Sequence, residues 1–133
     1  MKKYLLDTNI CVFLFRNKYD VAQKMDKIGA ENCYISSVTV AELKYGLEYG
    51  GATPKSRKQL DDFLSCINIV TFESCIDTYA REKSRLRKEG LLIDDFDLLI
   101  GCAAITQGYT LVTDNIKHFE RIKNLKIENW INR

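Results

Sequence analysis

Four acidic residues stand where an apolar run meets a helical pattern. Asp7 lies between two apolar runs, and Asp97 lies in the first turn of a strongly apolar helical pattern. Glu42 falls in the first turns of another helical pattern, and Asp114 directly follows the run Leu-Val-Thr. Burying a carboxylate without a partner is costly, so these positions raise the question of what compensates the charge.

Carboxylates that converge on one site repel one another. A pair about 5 Å apart costs roughly 3 kcal/mol at an effective dielectric constant near 20. Protonation relieves this repulsion, and so does a divalent cation. Oxygen-rich sites select hard ions such as Mg²⁺ or Mn²⁺. The chain has a single histidine, His118, which argues against a histidine-based zinc site.

Such an ion indicates a class of reaction. Bound Mg²⁺ normally also takes water molecules and phosphate oxygens as ligands. The ion activates the water and offsets the charge that develops on the phosphate. The residue types therefore favour metal-dependent hydrolysis of a phosphodiester.

Each acid also has a simpler interpretation as a helix-end residue. Asp7 and Asp114 could cap the helices that follow them. Thr39-Val-Ala-Glu42 fits a capping box, and Asp97 would be favoured by the helix dipole. These interpretations weaken when taken together, because Asp7 and Asp97 have apolar flanks where Ser or Thr would cap as well.

The elements that would position the acids alternate between strand and helix. Strands are predicted at 3–6, 33–36, 67–72, 109–113 and 126–130. Helices are predicted at 9–16, 20–28, 37–49, 55–66, 74–89, 95–107 and 117–122. The alternation predicts an α/β fold with a central parallel sheet of about four to five strands, flanked by helices on both faces. Because such sheets carry their sites at the carboxyl ends of the strands, we expect the four acids on one edge.

The composition is typical of a globular domain. The chain has 133 residues, of which 46% are hydrophobic and 29% charged, and this predicts a single domain over residues 1–133. The net charge of +2 does not mark a strongly basic nucleic-acid binder, although a local basic patch is compatible with it.

The cysteines and apolar runs bear on the compartment. There are five cysteines and no C-x-x-C pair, so we expect small buried side chains in a reducing cytosol rather than disulfides or a zinc site. No signal peptide or run of roughly 20 apolar residues is visible, and a cytoplasmic location is expected.

The acids lie in sequence blocks that resemble a known family. The chain is similar to PIN domains, and in particular to the VapC-type ribonuclease toxins of bacterial toxin–antitoxin pairs. The blocks follow one another in order along nearly the whole chain: Tyr4-Leu-Leu-Asp-Thr-Asn9, Ile35-Ser-Ser-Val-Thr-Val-Ala-Glu-Leu-Lys-Tyr-Gly46, Asp97-Leu-Leu-Ile-Gly-Cys-Ala-Ala104, Leu111-Val-Thr-Asp-Asn115 with His118-Phe119, and Ile127-Glu-Asn-Trp130.

The resemblance implies roles for particular residues. It implies that Asp7, Glu42 and Asp97 are the three acids that hold the metal, and that Asp114 occupies a fourth position, which is Asp or Asn in relatives. Further polar residues would support these acids, although they could equally be local caps of turns and helices. They are Thr8, Asn9, Thr113 and Asn115.

Two departures from the family pattern stand out. Gly101 replaces the usual Ala, which we expect to change packing more than chemistry. Asp94 and Asp95 stand where a Gly and a polar residue are common, and they add negative charge. Asp97 is preferred over Asp94 as the third acid because it directly precedes Leu-Leu-Ile, where relatives place the acid.

The implied function is that of a Mg²⁺- or Mn²⁺-dependent endoribonuclease toxin. It would cut a structured RNA, either a transfer RNA or a ribosomal RNA loop, and so inhibit translation. The implied partners are a cognate VapB-type antitoxin, the RNA and a second copy in a homodimer. Three alternatives remain: a catalytically silent PIN-like module that binds RNA or protein, a DNA-cutting nuclease of the same fold, and a phosphotransferase with Asp7 as nucleophile. The last is disfavoured because Asn9 replaces the second acid of its D-x-D-x-T motif.

RNA needs basic and aromatic surroundings. Candidate phosphate contacts are Lys44, Arg81, Arg85 and Lys117. The basic run that contains Arg81 and Arg85 could instead be an ordinary solvated helix face. Tyr45 and Tyr49 could stack on bases, or they could be dimer or core residues. Other acids are expected to be solvated on polar helix faces, among them Asp61, Asp62 and Glu82.

Overall fold

A computed structural model describes residues 2–131 of the chain. Its strands are β1 (Tyr4–Leu6), β2 (Cys33–Ser36), β3 (Asn68–Val70), β4 (Thr110–Val112) and β5 (Ile127–Glu128). Its helices are α1 (Thr8–Phe15), α2 (Val21–Ile28), α3 (Ser37–Tyr49), α4 (Pro54–Cys66), α5 (Ile76–Lys88), α6 (Asp95–Gln107) and α7 (Ile116–Phe119). Two 3-10 turns, Ala30–Asn32 and Phe72–Cys75, complete the elements.

The five strands form one parallel sheet in the order β3-β2-β1-β4-β5. The central strand β1 pairs with β2 on one side and with β4 on the other. Because all strands run in the same direction, their carboxyl ends meet at one edge of the sheet. The predicted parallel sheet is confirmed, and the residues that follow β1, β2 and β4 are brought to a common edge.

A hydrophobic core lies on each face of the sheet. One is centred on α6 and α5, with Leu86, Leu98 and Phe119 fully buried. The other packs α1, α2, α3 and α4 against the sheet, with Ile10 and Val21 almost completely buried. Helices therefore cover both faces, as the alternation of strand and helix predicts.

Several element ends differ from the sequence predictions. Strands predicted at 67–72 and 126–130 are reduced to Asn68–Val70 and Ile127–Glu128. The helix predicted from residue 74 begins at Ile76, because Cys75 has φ −112° and ψ 7°, outside the helical range. Pro54 begins α4, where Thr53 and Ser56 form a reciprocal capping box.

Gly101 allows the last segments of the chain to approach α6 closely. A Cβ placed on Gly101 would clash with Cδ1 of Ile122 and would lie 3.5 Å from Cδ1 of Phe119. The predicted packing role of this glycine agrees with that contact. The close approach places α7 and the loop before it beside the first turns of α6.

The cysteines and the helix lengths complete the description. Cys11, Cys33, Cys75 and Cys102 are buried as free thiols, whereas Cys66 is exposed. The expectation of buried cysteines is thus confirmed for all but Cys66. Within residues 2–131, no helix has the length and apolar character needed to cross a membrane.

Candidate active site

Asp7 is held at the carboxyl end of the central strand. Its amide donates to the carbonyl of Val112 at 2.9 Å, and only 4% of the residue is exposed. Its side chain accepts two hydrogen bonds of 2.8 Å, from the Thr8 amide to Oδ1 and from Thr113 Oγ1 to Oδ2. Burial nevertheless raises the pKa of Asp7 to about 6, because these two bonds offset only part of the desolvation.

Glu42 projects from α3 toward Asp7's neighbour Thr8. Thr8 Oγ1 donates to Glu42 Oε1 at 2.6 Å and lies 3.1 Å from Oγ1 of the buried Thr39. The capping-box interpretation of Thr39 and Glu42 is wrong, because Ser36 caps α3 and accepts from the Val38 amide. Burial raises the pKa of Glu42, and the negative charge of nearby Asp97 raises it further.

Asp97 and Asp94 have different positions at the start of α6. Asp94 is the exposed cap, with Oδ2 accepting from the Phe96 amide at 3.1 Å. Asp97 is more buried, with 22% of its side chain exposed. Burial, and then the charge of Asp94, raise the pKa of Asp97. Asp94 caps α6 as Asp7 caps α1 through the Thr8 amide, so capping does not decide between Asp94 and Asp97, and the choice of Asp97 as the third acid stays a prediction.

The loop between β4 and α7 joins these acids through a chain of polar contacts. Thr113 Oγ1, which donates to Asp7, accepts from the Asn115 amide at 2.9 Å. Asn115 Nδ2 lies 3.1 Å from Nδ1 of His118, and that nitrogen lies 3.7 Å from Oδ2 of Asp97. The loop thus links the acid after β1 with the acid on α6.

The remaining predicted residues occupy varied positions. Asp114 is partly buried in the loop after β4. Asn9 is exposed in the first turn of α1, away from the hydrogen bonds made by Asp7 and Glu42. Lys44, Arg81 and Lys117 are exposed.

Arg85 is committed to contacts within the protein. Its guanidinium donates to Glu82 Oε1 at 2.7 Å, to Glu89 Oε2 at 2.6 Å and to the Arg121 carbonyl at 2.8 Å. The prediction that Glu82 is solvated is wrong, because only 13% of its side chain is exposed. The Arg85–Glu82 ion pair keeps Glu82 out of solvent. Because its N–H groups are already used within the protein, Arg85 is poorly suited to bind a phosphate.

Sequence reasoning missed the closeness of His118 to Asp97. The sequence analysis used His118 only as an argument against a histidine-based zinc site and as part of a family block. The i, i+3 spacing of Asn115 and His118 on a short helix is the signal that would have indicated their contact. The interpretation of Tyr45 and Tyr49 as core residues is wrong, because they are 68% and 82% exposed.

Among the basic side chains of residues 2–131, only the imidazole of His118 pairs with one of the three acids Asp7, Glu42 and Asp97, at 3.7 Å from Asp97 Oδ2. Of the side chains in residues 2–131, no Lys or Arg forms an ion pair with Asp7, Glu42 or Asp97. The acids instead raise one another's pKa values, with Asp97 acting on both Asp7 and Glu42. An isolated cluster of this kind stores repulsion that a cation would relieve.

The donor set fits a hard divalent cation. All four predicted ligands are carboxylates, and each oxygen of Asp7 retains a lone pair beyond its one hydrogen bond. Within the described part of the chain, no three His, Cys, Asp or Glu side chains form a ready-made metal cage.

Comparison with known proteins gives consistent similarities along the chain. The PIN domain family model matches residues 4–125, which include all four acids. Ribonuclease VapC2 of Rickettsia felis is 41% identical over 130 residues, covering 96% of this chain and 97% of that protein. The tRNA(fMet)-specific endonuclease VapC of Shigella flexneri is 31% identical over 131 residues, covering 98% and 99%. The crystal structure of VapBC2 from Rickettsia felis, bound to a DNA fragment from its promoter, has a chain with a TM-score of 0.87 and 39% identity, covering 96% of this chain and 98% of that one.

Proposed function

Because the chain belongs to the PIN-domain family and is a VapC-type ribonuclease toxin of a toxin–antitoxin system, we propose that it is a Mg²⁺- or Mn²⁺-dependent endoribonuclease. One observation carries the metal dependence. Three carboxylates from separate elements, Asp7, Glu42 and Asp97, influence one another at one edge of the sheet, and no Lys or Arg pairs with them in residues 2–131.

Four residues would hold the ion: Asp7, Glu42, Asp97 and Asp114. The bound ion would supply a water of lowered pKa and would offset charge on the phosphate that is cut. Thr113 and Thr8 orient the acids, because their hydroxyls donate to Asp7 Oδ2 and Glu42 Oε1. Groups that hydrogen-bond to metal ligands commonly hold those ligands in the orientation that binding requires.

Glu42 is suited to accept a proton from the attacking water. Its Oε1 accepts from Thr8, whereas no hydrogen bond within residues 2–131 engages Oε2. Its raised pKa brings the carboxylate closer to the working pH, where a general base is most effective. We assign the proton transfer to this oxygen.

His118 is placed to contact the phosphate. When the side-chain Nδ2 of Asn115 donates to Nδ1, Nε2 is the ring nitrogen that carries a proton. Nearly half of the side chain is exposed, so Nε2–H can donate to a phosphate oxygen beside Asp97.

The names of the relatives support a substrate and a partner. The Shigella flexneri relative is named for cutting tRNA(fMet), and we propose a transfer RNA as the first substrate to test, with a ribosomal RNA loop as the second. Cutting either would inhibit translation. The Rickettsia felis relative forms a VapBC complex, and we propose a VapB-type antitoxin as the partner of this chain and a homodimer as its assembly.

Incubation of the purified toxin with RNA tests this proposal. Protein freed of antitoxin would be incubated with total bacterial RNA in Mg²⁺ or Mn²⁺, with EDTA and Asp97→Asn as controls. Discrete products that disappear in both controls are expected, and mapping their ends would identify the target. Intact RNA with either ion, from folded protein that binds the ion, would contradict the proposal and favour a silent binding module or a DNA substrate.

A further inference from the structure

Thr39 on α3 carries a fully buried hydroxyl group next to the acidic site. The exposed fraction of the residue is 0%, and its Oγ1 lies 3.1 Å from Oγ1 of Thr8. Within residues 2–131, this contact is the only hydrogen bond that the Thr39 side chain makes. A valine would fill the same space without the cost of burying a polar group, so the contact with Thr8 is what the hydroxyl contributes.

The two hydrogen bonds at Thr8 have a definite direction. Thr8 Oγ1 lies 2.6 Å from Glu42 Oε1 as well as 3.1 Å from Thr39 Oγ1, but a hydroxyl has only one hydrogen to donate. A carboxylate can only accept, and a hydrogen bond to a charged acceptor is the shorter and stronger of the two. Thr8 therefore donates to Glu42, and Thr39 donates to Thr8.

This chain of donors ties the Glu42 side chain to a second position on its own helix. Thr39 and Glu42 are three residues apart and lie on the same face of α3, and Thr8 in the first turn of α1 bridges them. Donation from Thr39 occupies a lone pair of Thr8 Oγ1 and so restricts the direction in which the Thr8 hydrogen points. Hydrogen bonds linked in this way also strengthen one another. Without Thr39, the long Glu42 side chain would be held by a hydroxyl that is free to rotate.

We infer that Thr39 is a positioning residue for Glu42. Through Thr8 it keeps the Glu42 carboxylate in the orientation that binds the ion and accepts the proton of the attacking water. The inference rests on the proposed ribonuclease function, in which Glu42 has both tasks. Because Thr39 is fully buried, it cannot touch RNA, and its loss should affect the rate of cleavage and the affinity for the ion rather than the affinity for RNA.

Two substitutions of Thr39 separate the hydroxyl from the rest of the side chain. Thr39→Val keeps the shape and removes the hydroxyl, whereas Thr39→Ser keeps the hydroxyl and removes a buried methyl group. Thr39→Val should lower kcat for RNA cleavage about tenfold and leave KM within about twofold, and calorimetry without RNA should show Mn²⁺ binding about fivefold weaker. Thr39→Ser should recover most of the rate and of the Mn²⁺ affinity. The control Thr110→Val alters another buried threonine, at the amino end of β4 and away from the acids, and should behave as wild type.

Thermal unfolding distinguishes positioning from packing. Because a lost methyl group leaves a small cavity, Thr39→Ser should have the lower melting temperature of the two variants. The ranking by stability is then opposite to the ranking by kcat and by Mn²⁺ affinity, which a role in packing alone does not produce. Losses of kcat that follow the melting temperatures would make Thr39 a packing residue and overturn the inference.

Substitution of Thr8 tests the route by which Thr39 acts. If Thr39 acts through Thr8, Thr39→Val should have little further effect on kcat in a protein that already carries Thr8→Val. Losses that add in the double variant would overturn the inference, because they require a route that bypasses Thr8.

Mn²⁺ binding and RNA cleavage together separate the remaining outcomes. Unchanged kcat and Mn²⁺ affinity in Thr39→Val would overturn the inference and leave a cutting wild-type enzyme intact. A wild-type protein that binds Mn²⁺ but cuts no RNA, with weaker Mn²⁺ binding in Thr39→Val and not in Thr39→Ser, would instead uphold the positioning of Glu42 and refute the ribonuclease function. A wild-type protein that neither binds Mn²⁺ nor cuts RNA would overturn both.

Discussion

Two largely buried carboxylates in this molecule, Glu82 and Asp7, have pKa values shifted in opposite directions. Glu82 on α5 accepts from Arg85 Nε at 2.7 Å, from Arg85 Nη2 at 2.8 Å and from the Lys123 amide at 3.0 Å. These contacts hold its pKa below the usual range. Asp7 at the end of β1 is more buried, yet it has only a hydroxyl and an amide as donors, and its pKa is raised to about 6.

The difference shows where charge serves stability and where it serves function. Around Glu82 the chain supplies the cation and the backbone donor, and α5 is thereby tied to the segment that contains Lys123. Around Asp7, Glu42 and Asp97 no Lys or Arg forms an ion pair among residues 2–131, and the repulsion between these acids is one that an external ion would relieve. Groups with pKa values raised by burial and by like charges are typical of functional sites.

The largest expected effect is on RNA cleavage, which a substitution at the acidic site should reduce and a substitution at Glu82 should not. Asp97→Asn should reduce RNA cleavage about a thousandfold or more, since it removes a carboxylate that would bind the metal. Glu82→Gln, the matched change on α5, should leave cleavage within about threefold of wild type at a temperature where both proteins are folded. Initial rates on one RNA under single-turnover conditions make the comparison. Equal losses in the two variants would mean that the acids of the sheet edge have no special role.

The sequence carries much of this contrast, but not all of it. The parallel sheet and the convergence of Asp7, Glu42 and Asp97 follow from alternating elements and from acids at strand ends. Thr8 and Thr113 lie just after the ends of β1 and β4, at the carboxyl edge of the sheet. This position brings their hydroxyls to Glu42 and Asp7.

Contacts between distant elements were beyond such reasoning. The partner of Glu82 includes the Lys123 amide, 41 residues away, and no local pattern indicates that contact. His118 approaches Asp97 from the segment after β4, and Gly101 leaves room for Ile122 and Phe119 to pack closely against α6. Exposure of Tyr45 and Tyr49 was also undecided, since a Tyr on a helix can pack either inward or outward.

The next expected effect is a pH dependence that Asp7 brings to the metal-free protein. A folded-state pKa raised from 3.8 to about 6 means that Asp7 favours folding fully below about pH 4, and that this contribution is lost as the pH rises through about 6. The change amounts to about 3 kcal/mol in the free energy of unfolding. Urea unfolding in EDTA between about pH 4 and 7 should show this decline in wild type and a clearly smaller one in Asp7→Asn. Parallel profiles would show that burial of Asp7 carries no charge penalty.

Glu82 should show a smaller effect of the opposite sign. Its folded-state pKa is lowered, so its contribution is present above the unfolded-state pKa and is lost as the pH falls through the folded-state pKa. Glu82→Gln should lower the free energy of unfolding at neutral pH by about 2 kcal/mol, because Arg85 and the Lys123 amide lose a charged acceptor. Thermal unfolding monitored by circular dichroism measures the change, with Asp62→Asn as an exposed control that should shift it little. An unchanged free energy of unfolding in Glu82→Gln would mean that the ion pair of Glu82 does not stabilise the fold, contrary to the contrast drawn with Asp7.

The smallest expected effect concerns His118, which lies beside an acid but is proposed to serve RNA. His118→Ala should slow cleavage about tenfold, the effect of one lost hydrogen bond to a charged group. The free energy of unfolding should change by no more than about 0.5 kcal/mol, as for other surface substitutions. His118→Gln, which keeps an N–H donor, should recover part of the rate. A loss of stability without a loss of rate would instead make His118 a structural partner of Asp97, comparable to Arg85 beside Glu82.

Calorimetric titration of the metal-free protein tests most directly whether an external cation compensates the acids. EDTA-treated and dialysed protein would be titrated with Mg²⁺ and with Mn²⁺, using wild type, Asp97→Asn and Glu82→Gln. Saturable binding is expected in wild type and Glu82→Gln, together with a rise in melting temperature as the ion is added, because a ligand that binds only the folded state stabilises it. Asp97→Asn should lose most of the binding and the rise. Failure of either ion to bind folded wild-type protein, or equal binding by Asp97→Asn, would contradict the account.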